Sequence, residues 1–315
     1  MFNAERFIDE TVTKLKDDID GKALIAFSGG VDSTVCASLV NLAIGKKLVA
    51  VHVDTGYMRK DESKNVKKLM DNIGLNYHFI DASEEFYSAL RGVIDPEKKR
   101  KIIGEKFIRI FEKVAEKEKV KYLVQGTIAP DWIESGGQLR DVIKSHHNVG
   151  GLPEKMNLNL IEPLRDLYKD EVRRVARILK LPVAERQPFP GPGLAIRIIG
   201  EATPERTEIV REACDIVEKE IEMAVKKGLM EMPWQYFAVL LPIKSVGVQG
   251  DKRAYGYVIA VRAVHSIDAM TCAFSKIPND VIDNISTKIT NKMKEKINRI
   301  VYDVTNKPPS TVEWE

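Results

Sequence analysis

The sequence has few cysteines and little net charge, and these features argue against a disulfide framework, a zinc site and a nucleic-acid partner. Its 315 residues include only three cysteines, Cys36, Cys214 and Cys272, which are far apart and form no CxxC pair. We therefore expect neither a disulfide framework nor a zinc site, and a reducing cytoplasm fits best. The 49 Lys and Arg residues against 46 Asp and Glu leave a net charge of +3. This charge is too small to indicate nucleic acid as a partner.

The sequence also lacks long apolar runs. No stretch approaches the ~18 apolar residues of a membrane span. The start, MFNAERFIDE, has acidic residues where a signal peptide carries a basic region. We therefore expect a cytoplasmic protein with no membrane partner. At about 150 residues per domain, a chain of 315 residues predicts two domains.

Short apolar runs alternate with helical segments in the first half of the chain. Strands are predicted at 23–27, 48–53, 77–80, 122–124 and 158–161. Between them, apolar residues recur at the i, i+3, i+4, i+7 spacing of one helix face. Because parallel strands need crossover connections, we predict an α/β fold with an open, doubly wound parallel sheet. Its ligand is expected at the carboxyl ends of the strands.

A segment rich in proline and glycine, QPFPGPG at 187–193, separates the two halves. It cannot form a helix or a central strand, so we predict domains at 1–190 and 191–315. The second is expected to be a smaller α+β domain with helices at 209–224 and 281–289 and strands at 236–241, 255–264 and 299–304. In the last strand apolar residues alternate, so one face is expected to be covered by a helix or by a second subunit.

The strongest local signal is SGGVDST at 28–34, between the first predicted strand and a helix. Two glycines let the backbone approach an anion, hydroxyl groups add donors, and the helix start presents free N–H groups. The loop differs from a Walker A loop and from the GxGxxG pattern. We predict that it binds a pyrophosphate group through Ser28, Gly29, Gly30, Val31, Asp32, Ser33 and Thr34. The alternative is a simple strand-to-helix turn in which Asp32 caps the helix.

Two further segments of the first half carry candidate residues. Val53 ends the second strand, where it either contacts the ligand or packs in the core, and Gly126 follows the fourth strand. A polar segment with paired glycines then extends from Asp131 and suits a mobile lid. Its candidate residues are Asp131, Glu134, Lys144, His146 and His147. The alternative is a solvated helix face followed by a surface turn.

Four motifs together resemble one enzyme family. The SGGVDS loop is similar to the signature of the ATP pyrophosphatases, of the adenine nucleotide alpha hydrolase-like fold. Three later segments resemble GMP synthetase: IKSHHNVGGLP at 143–153, PFPGPGLAIR at 188–197 and KPPSTVEWE at 307–315. GMP synthetases commonly carry an N-terminal glutamine amidotransferase domain, and too little sequence precedes the loop to hold one. The resemblance is therefore to the separately encoded ATP-pyrophosphatase subunit of an archaeal, two-subunit enzyme.

The resemblance implies a reaction in two steps. The O2 atom of xanthosine monophosphate (XMP) attacks the α-phosphate of ATP and releases pyrophosphate, and ammonia then displaces AMP to give GMP. ATP is thus a co-substrate, and Asp32 is expected to bind a Mg²⁺ ion on the phosphates. The lid residues are expected to act on the triphosphate or on ammonia. The implied partners are a glutamine amidotransferase subunit and a second copy of the chain, which binds through the C-terminal domain.

The resemblance places XMP in the second domain. Lys307 is expected at the 5′-phosphate and Glu313 at the ring N–H groups. The two prolines after Lys307 are expected to hold the tail extended and to project Thr311. Gln249 offers a further polar contact, and Arg197 is a further phosphate candidate. The alternative for the tail is disorder, which is common at chain ends.

Two other functions stay open at this point. Another adenylating ATP pyrophosphatase, such as an NAD synthetase or a tRNA thiolase, would share the loop but not the ending KPPSTVEWE. A non-catalytic subunit that binds a nucleotide and regulates a partner is the second alternative. The intact residues Ser28, Asp32, Ser33 and Lys144 count against it.

Overall fold

The chain divides into two compact units, each with its own sheet. A computed structural model describes residues 2–133, 158–183, 187–249, 251–266 and 270–315. Unit 1 consists of Met1–Thr55, Asp61–Ala82 and Lys101–Gly191. Unit 2 consists of Gly56–Lys60, Ser83–Arg100 and Pro192–Glu315. Two short segments from the first half of the sequence therefore belong to unit 2.

The helices and strands follow the order expected from the sequence. The helices are α1 (Ala4–Asp18), α2 (Val31–Ile44), α3 (Glu62–Ile73), α4 (Ser83–Ala89), α5 (Pro96–Glu118), α6 (Ala129–Ile133), α7 (Lys169–Ile178), α8 (Pro204–Lys226) and α9 (Asn279–Lys292). The strands are β1 (Ala23–Ala26), β2 (Leu48–Asp54), β3 (Asn76–Asp81), β4 (Tyr122–Val124), β5 (Asn159–Ile161), β6 (Gln235–Gln249), β7 (Lys252–His265), β8 (Ala273–Phe274) and β9 (Ile297–Tyr302). Short 3₁₀ helices occupy Gly45–Lys47 and Gly193–Arg197. In the described part of the chain, no helix is long and apolar enough to span a bilayer.

Local sequence signals explain where several helices begin and end. Asn3 caps α1, because its Oδ1 accepts a hydrogen bond from Arg6 N at 3.0 Å. Thr203 caps α8 in the same way and is followed by proline at the first helical position. Gly74 ends α3 in the left-handed conformation that glycine adopts without strain.

The sheet of unit 1 has five parallel strands among the described residues, in the order β3-β2-β1-β4-β5. From β1 the chain continues to β2 and β3 on one side of the sheet, and β4 and β5 lie on the other side of β1. Right-handed crossovers therefore put helices on both faces, and the loops after β1 and β4 diverge at a crevice. The predicted doubly wound α/β fold is confirmed, and the crevice is the expected ligand site.

One apolar cluster holds unit 1 together. Its buried side chains come from α1, α2, α3 and α7 as well as from β1 and β2. The helix α2 is the most deeply packed of these, because its residues from Thr34 to Val40 are all buried. The helix that follows the phosphate loop is thus anchored along its length, and this makes its first turn a rigid platform.

The sheet of unit 2 has four strands among the described residues and is built on a long hairpin of β6 and β7. Its register shifts between Leu240 and Lys244, around Pro242, because proline has no N–H to donate to the ladder. β9 runs parallel to β7 and β8 runs antiparallel to it. The helices α8 and α9 pack against each other, and the sheet contacts both. The predicted α+β module is therefore present, with strands longer than the apolar runs suggested.

We expect Gly193→Ala to destabilise unit 2 more than Gly228→Ala. Both glycines have positive φ, +65° and +69°, so a side chain costs about 1–2 kcal/mol at either position. At Gly193 a Cβ atom would also overlap the carbonyl oxygen of Tyr57, whereas no heavy atom lies within 4 Å of a Cβ atom at Gly228. We therefore expect losses of about 3 kcal/mol or more and about 1 kcal/mol, respectively. Chemical denaturation followed by circular dichroism measures both, and equal losses would contradict the steric argument.

Candidate active site

The predicted phosphate loop lies between β1 and α2, at the carboxyl edge of the parallel sheet. Gly29 has φ of +73°, a conformation that glycine adopts freely. Gly30 is the N-cap of α2 and supplies no side-chain hydrogen bond to the first helical amides. Because no side chain caps them, these amides point toward the place where an anion would bind.

Hydroxyl groups close the loop around Gly30. Ser28 Oγ and Ser33 Oγ are 2.9 Å apart, and Gly30 N donates to Ser28 Oγ at 3.2 Å. Thr34 Oγ1 donates to Gly30 O at 2.7 Å. Ser28 is exposed and Ser33 is half-buried, whereas Val31 and Thr34 are buried. The first two hydroxyls are therefore placed to meet a ligand, while Thr34 shapes the loop from below.

Asp32 is positioned by a lysine that the sequence analysis did not select. Lys169 Nζ donates to Asp32 Oδ2 at 2.6 Å. The other carboxylate oxygen, Oδ1, is buried and has no hydrogen-bond partner among the described residues. A capping role would engage the amides at the start of α2, whereas neither Asp32 oxygen bonds to them in the described part of the chain. The carboxylate instead keeps one free, hard oxygen beside the loop.

Lys169 is the first residue of α7, where the helix dipole disfavours a cation. A lysine at the start of a helix is a signal that sequence analysis could have used to select Lys169, because its charge needs an acidic partner at that position. Arg173 lies one turn further along the same helix face. Its Nε is buried and has no hydrogen-bond partner among the described residues. Lys169 and Arg173 are therefore two cationic groups on one face of α7.

Gly126 and Val53 lie at the ends of the two strands that flank β1. A Cβ atom at Gly126 would lie 3.3 Å from the backbone carbon of Asp32 and 3.4 Å from Ser33 N, so glycine lets this segment approach the first turn of α2. Val53 is buried near the end of β2. The structure thus brings Gly126 against the loop and places Val53 in the core of the sheet.

The predicted lid is only partly described. Glu134, Lys144, His146 and His147 lie outside the described residues. Asp131 lies in α6, and its Oδ2 accepts a hydrogen bond from Ile128 N at 2.9 Å. This contact closes a local turn.

Two residues predicted for XMP, Arg197 and Glu313, form a buried ion pair in unit 2. Arg197 Nη2 and Nε donate to the two Glu313 oxygens at 2.8 and 3.1 Å, and Gln235 Nε2 donates to the same carboxylate at 2.8 Å. The guanidinium also lies 4.1 Å from the centre of the Phe237 ring. Burial disfavours its charge, but Glu313 outweighs this effect and raises the pKa of Arg197. These three hydrogen bonds leave Glu313 one further acceptor position, on Oε2, for a ligand.

The C-terminal tail is ordered by contacts along its length, so the alternative of a disordered tail does not apply. It is not extended, however: residues after Lys307 turn, and Ser310 N donates to Asn306 O at 3.1 Å. β9 also ends at Tyr302 rather than at 304. Asp303 N still donates to Val261 O of β7 at 2.9 Å, and the Asp303 side chain pairs with Arg262 at 2.9 Å. The prolines predict an extended tail, but the tail instead bends around the buried Arg262, a residue that the sequence analysis did not select.

The remaining predicted XMP residues lie along this tail and in the hairpin. The backbone of Lys307 exchanges two hydrogen bonds with Cys272, at 2.8 and 3.1 Å. Thr311 is exposed, and its hydroxyl donates to the backbone oxygen of Glu313. Gln249 is the last residue of β6. The structure therefore brings Lys307, Thr311 and Glu313 into one ordered segment.

A second buried pair fixes the end of the tail. The fully buried Lys99 donates to Glu315 Oε2 and to the carbonyl oxygen of Ile198, the latter at 2.7 Å. Burial lowers the pKa of Lys99 and raises that of Glu315, and their mutual attraction opposes both shifts. Gly200 N also donates to Glu315 Oε1 at 3.2 Å. The last described residue is therefore anchored in unit 2.

The chain matches two family models in separate parts. The model described as NAD synthase matches residues 2–129, and the model described as GMP synthase C terminal domain matches residues 222–314. The first match covers the phosphate loop, which several ATP pyrophosphatases would share. The second match covers the β6–β7 hairpin and all but the last residue of the tail.

Relatives that match almost the whole of this chain are more than half identical to it. The B subunit of the glutamine-hydrolyzing GMP synthase of Methanopyrus kandleri is 57% identical, with 100% of both chains covered. The protein of the same name from Pyrococcus horikoshii is 57% identical over 98% of this chain and 99% of its own. The glutamine-hydrolyzing GMP synthase of Thermotoga petrophila is 54% identical over 98% of this chain, which spans 62% of that longer protein. The chain therefore belongs to the family of GMP synthase B subunits, which confirms the resemblance predicted from its four motifs.

Proposed function

We propose that this chain is the synthase subunit that converts XMP to GMP. In the first step XMP O2 attacks the α-phosphate of ATP, and pyrophosphate leaves. In the second step ammonia from a separate glutamine amidotransferase subunit attacks C2, and AMP leaves with the former O2 atom. The observation that carries the proposal is that one chain holds both an open phosphate loop beside a free Asp32 oxygen and an ordered KPPSTVEWE tail in unit 2.

The loop is assigned to the leaving pyrophosphate. The hydroxyls of Ser28 and Ser33 and the first amides of α2 donate hydrogen bonds to phosphate oxygens, and the helix dipole favours their charge. Lys169 and Arg173 add positive charge from α7. Such fixed donors stabilise the charge that accumulates on the leaving group, which is the main task in phosphoryl transfer. Gly126 permits the close packing that keeps this first turn in place.

Asp32 is assigned to a Mg²⁺ ion that accompanies ATP. Its Oδ1 is buried and unbonded among the described residues, and this hard oxygen suits Mg²⁺. The described residues contain no group of three or more His, Cys, Asp or Glu side chains arranged for a metal. One carboxylate is nonetheless enough, since Mg²⁺ is commonly held by one or two carboxylates together with substrate phosphates. When bound, the ion neutralises phosphate charge.

The tail of unit 2 is assigned to XMP. Lys307 meets the 5′-phosphate, Glu313 accepts hydrogen bonds from the ring N–H groups, and Thr311 and Gln249 add polar contacts. Because Arg197 is already bonded to Glu313, its proposed role is to hold that carboxylate in place. Unit 1, which contains the loop, then corresponds to the predicted ATP pyrophosphatase domain (1–190). Unit 2, which also includes Gly56–Lys60 and Ser83–Arg100, corresponds to the predicted XMP-binding domain (191–315).

The lid residues Asp131, Glu134, Lys144, His146 and His147 complete the proposal. A lid has a chemical purpose here, because water would hydrolyse the adenylated XMP before ammonia reached it. Lys144 and the two histidines bring positive or switchable donors to the triphosphate, and the acidic residues orient ammonia.

The cytoplasm is the proposed location, and the three cysteines, which are buried and free, suit its reducing conditions.

A homodimer through unit 2 is part of the proposal. Val246 and Tyr255 are paired across the β6–β7 hairpin, so their side chains share one face with Val248. All three are exposed, Val248 by 74%. An apolar patch of this kind marks an interaction surface more often than a free one.

The proposed reaction predicts a strict choice of acceptor and nitrogen source. With Mg-ATP, XMP and ammonium, the purified chain should form GMP, AMP and pyrophosphate in equal amounts. Glutamine should not replace ammonium until the amidotransferase subunit is added. Nicotinic acid adenine dinucleotide in place of XMP is the control for an NAD synthetase, and pyrophosphate release with it would contradict the proposal, as would turnover of glutamine by the chain alone.

Asp32→Asn should lower the rate of pyrophosphate release on the order of a hundredfold and raise the Mg²⁺ concentration needed for half-maximal rate. Asp20→Asn is the matched control, because Asp20 is an exposed carboxylate of unit 1 that bonds Tyr122 and Lys121. Lys169→Met tests whether Asp32 acts only through its lysine. An equal loss in Asp32→Asn and Lys169→Met with an unchanged Mg²⁺ requirement would remove the metal role.

Val248→Lys should weaken the homodimer, because it puts a charge in the proposed apolar interface. Leu229→Lys is the matched control, since Leu229 is also exposed in unit 2, by 58%, and lies outside the hairpin. Sedimentation velocity over a range of concentrations measures both. A wild-type chain that stays monomeric, or a dimer that Val248→Lys leaves intact, would argue against this surface.

A further inference from the structure

Arg262 is a buried cation to which the proposed reaction assigns no role. It lies in β7 and is 0% exposed. A guanidinium has five N–H groups and stays charged at any physiological pH. Its burial is costly unless each of these donors finds an acceptor. The position of its acceptors therefore tells what the residue organises.

All five donors of Arg262 are accounted for by one segment. Nη1 donates to Asp303 Oδ2 at 2.9 Å and to Thr305 O at 2.8 Å. Nη2 donates to Ser310 Oγ at 3.0 Å and to Thr311 O at 2.8 Å. Nε donates to Val312 O at 3.0 Å. Each acceptor lies between 303 and 312, so this stretch of the tail is wrapped around a single side chain.

The acceptors bracket the two residues assigned to XMP. Asp303 and Thr305 precede Lys307, and the other three acceptors immediately precede Glu313. The distance between Lys307 and Glu313 therefore depends on both groups of acceptors meeting the same planar guanidinium. The contacts of Lys307 with Cys272 and of Glu313 with Arg197 hold each end separately. Arg262 instead binds both halves of the tail from one rigid group.

We propose that Arg262 is a positioning residue that sets the separation of Lys307 and Glu313 and thereby the affinity for XMP. This inference rests on the proposed assignment of the tail to XMP. The physical reason is preorganisation: a tail already bent to the shape of the nucleotide loses little conformational entropy when XMP binds. Without the guanidinium, XMP binding itself would have to order the tail.

Two variants test this role at different severity. Arg262→Lys keeps the charge but replaces a planar fork of five donors by an ammonium with three. Ser310→Ala removes one acceptor and leaves the cation in place, so it remains informative if Arg262→Lys does not fold. Arg206→Lys is the matched control, because Arg206 also donates to a backbone carbonyl of unit 2, that of Glu201 at 3.0 Å, and lies over the ring of Tyr257. Lys307→Ala gives the effect of removing a direct contact.

The KM for XMP, the KM for ATP and kcat are measured by pyrophosphate release at saturating ammonium. We expect Arg262→Lys to raise the KM for XMP about tenfold and Ser310→Ala about threefold, while the KM for ATP changes less than about twofold. Arg206→Lys should match the wild type. A purely structural role would instead reduce the active fraction, which lowers kcat and leaves both KM values unchanged.

Trp314 provides a direct view of the tail, because its Nε1 donates to Asp303 Oδ2 at 3.0 Å, the same oxygen that Arg262 binds. In protein labelled with 5-fluorotryptophan, the ¹⁹F signal of Trp314 should broaden in Arg262→Lys and sharpen again when XMP saturates the site. A wild-type KM for XMP in both Arg262→Lys and Ser310→Ala would overturn the inference. If the wild-type chain releases no pyrophosphate with XMP, the proposed function fails and the inference fails with it. The assay of the wild-type chain therefore separates this outcome from failure of the inference alone.

Discussion

A cation buried in a protein must find an acceptor for every donor, and this constraint orders the C-terminal half of the molecule. Lys99, Arg197 and Arg262 are all buried, and each takes at least one acceptor from the last residues of the chain. The tail is therefore bent and fixed although it contains little apolar surface. An ordered polar segment is what nucleotide recognition requires, because its free lone pairs and charges are held at fixed positions.

The first half of the molecule obeys a different constraint. Parallel strands bring all their carboxyl ends to one edge, and the order β3-β2-β1-β4-β5 makes the loops after β1 and β4 diverge there. Gly126 then approaches the first turn of α2 closely enough that only a glycine fits without displacement. The position of the loop thus follows from sheet topology, while a lysine from another helix holds the Asp32 carboxylate.

These two constraints suit a reaction that passes through an adenylated nucleotide. The first step needs fixed donors and positive charge at the phosphates, and the proposed site assigns these to the start of α2 and to α7. The second substrate has to be held in one orientation so that only O2 meets the phosphate. Two ordered segments built by different physics, one from backbone amides and one from buried ion pairs, meet these separate needs.

The sequence by itself determined most strands and helices of both units, the phosphate loop and the family, but not the short elements β8 and α4. Each of these depends on local information: the period of apolar residues, glycines in a short motif, and contiguous segments such as KPPSTVEWE. The tail shows where such information fails, because its prolines predict an extended segment, whereas the hydrogen bonds to Arg262 bend it. Likewise, Arg197 and Glu313 were both selected, yet nothing in their types shows that they bind each other.

Only the tertiary structure decided the partners of the charged groups. Lys169 and Asp32 are 137 positions apart and Arg197 and Glu313 are 116 apart. A lysine or an arginine can pair with any of the 46 acidic residues in the sequence, and no periodicity distinguishes among them. The packed core makes the choice, because it brings certain side chains within hydrogen-bond distance of each other. It also excludes water, which would otherwise solvate their charges. The contacts of Arg262 are therefore visible in the folded chain alone.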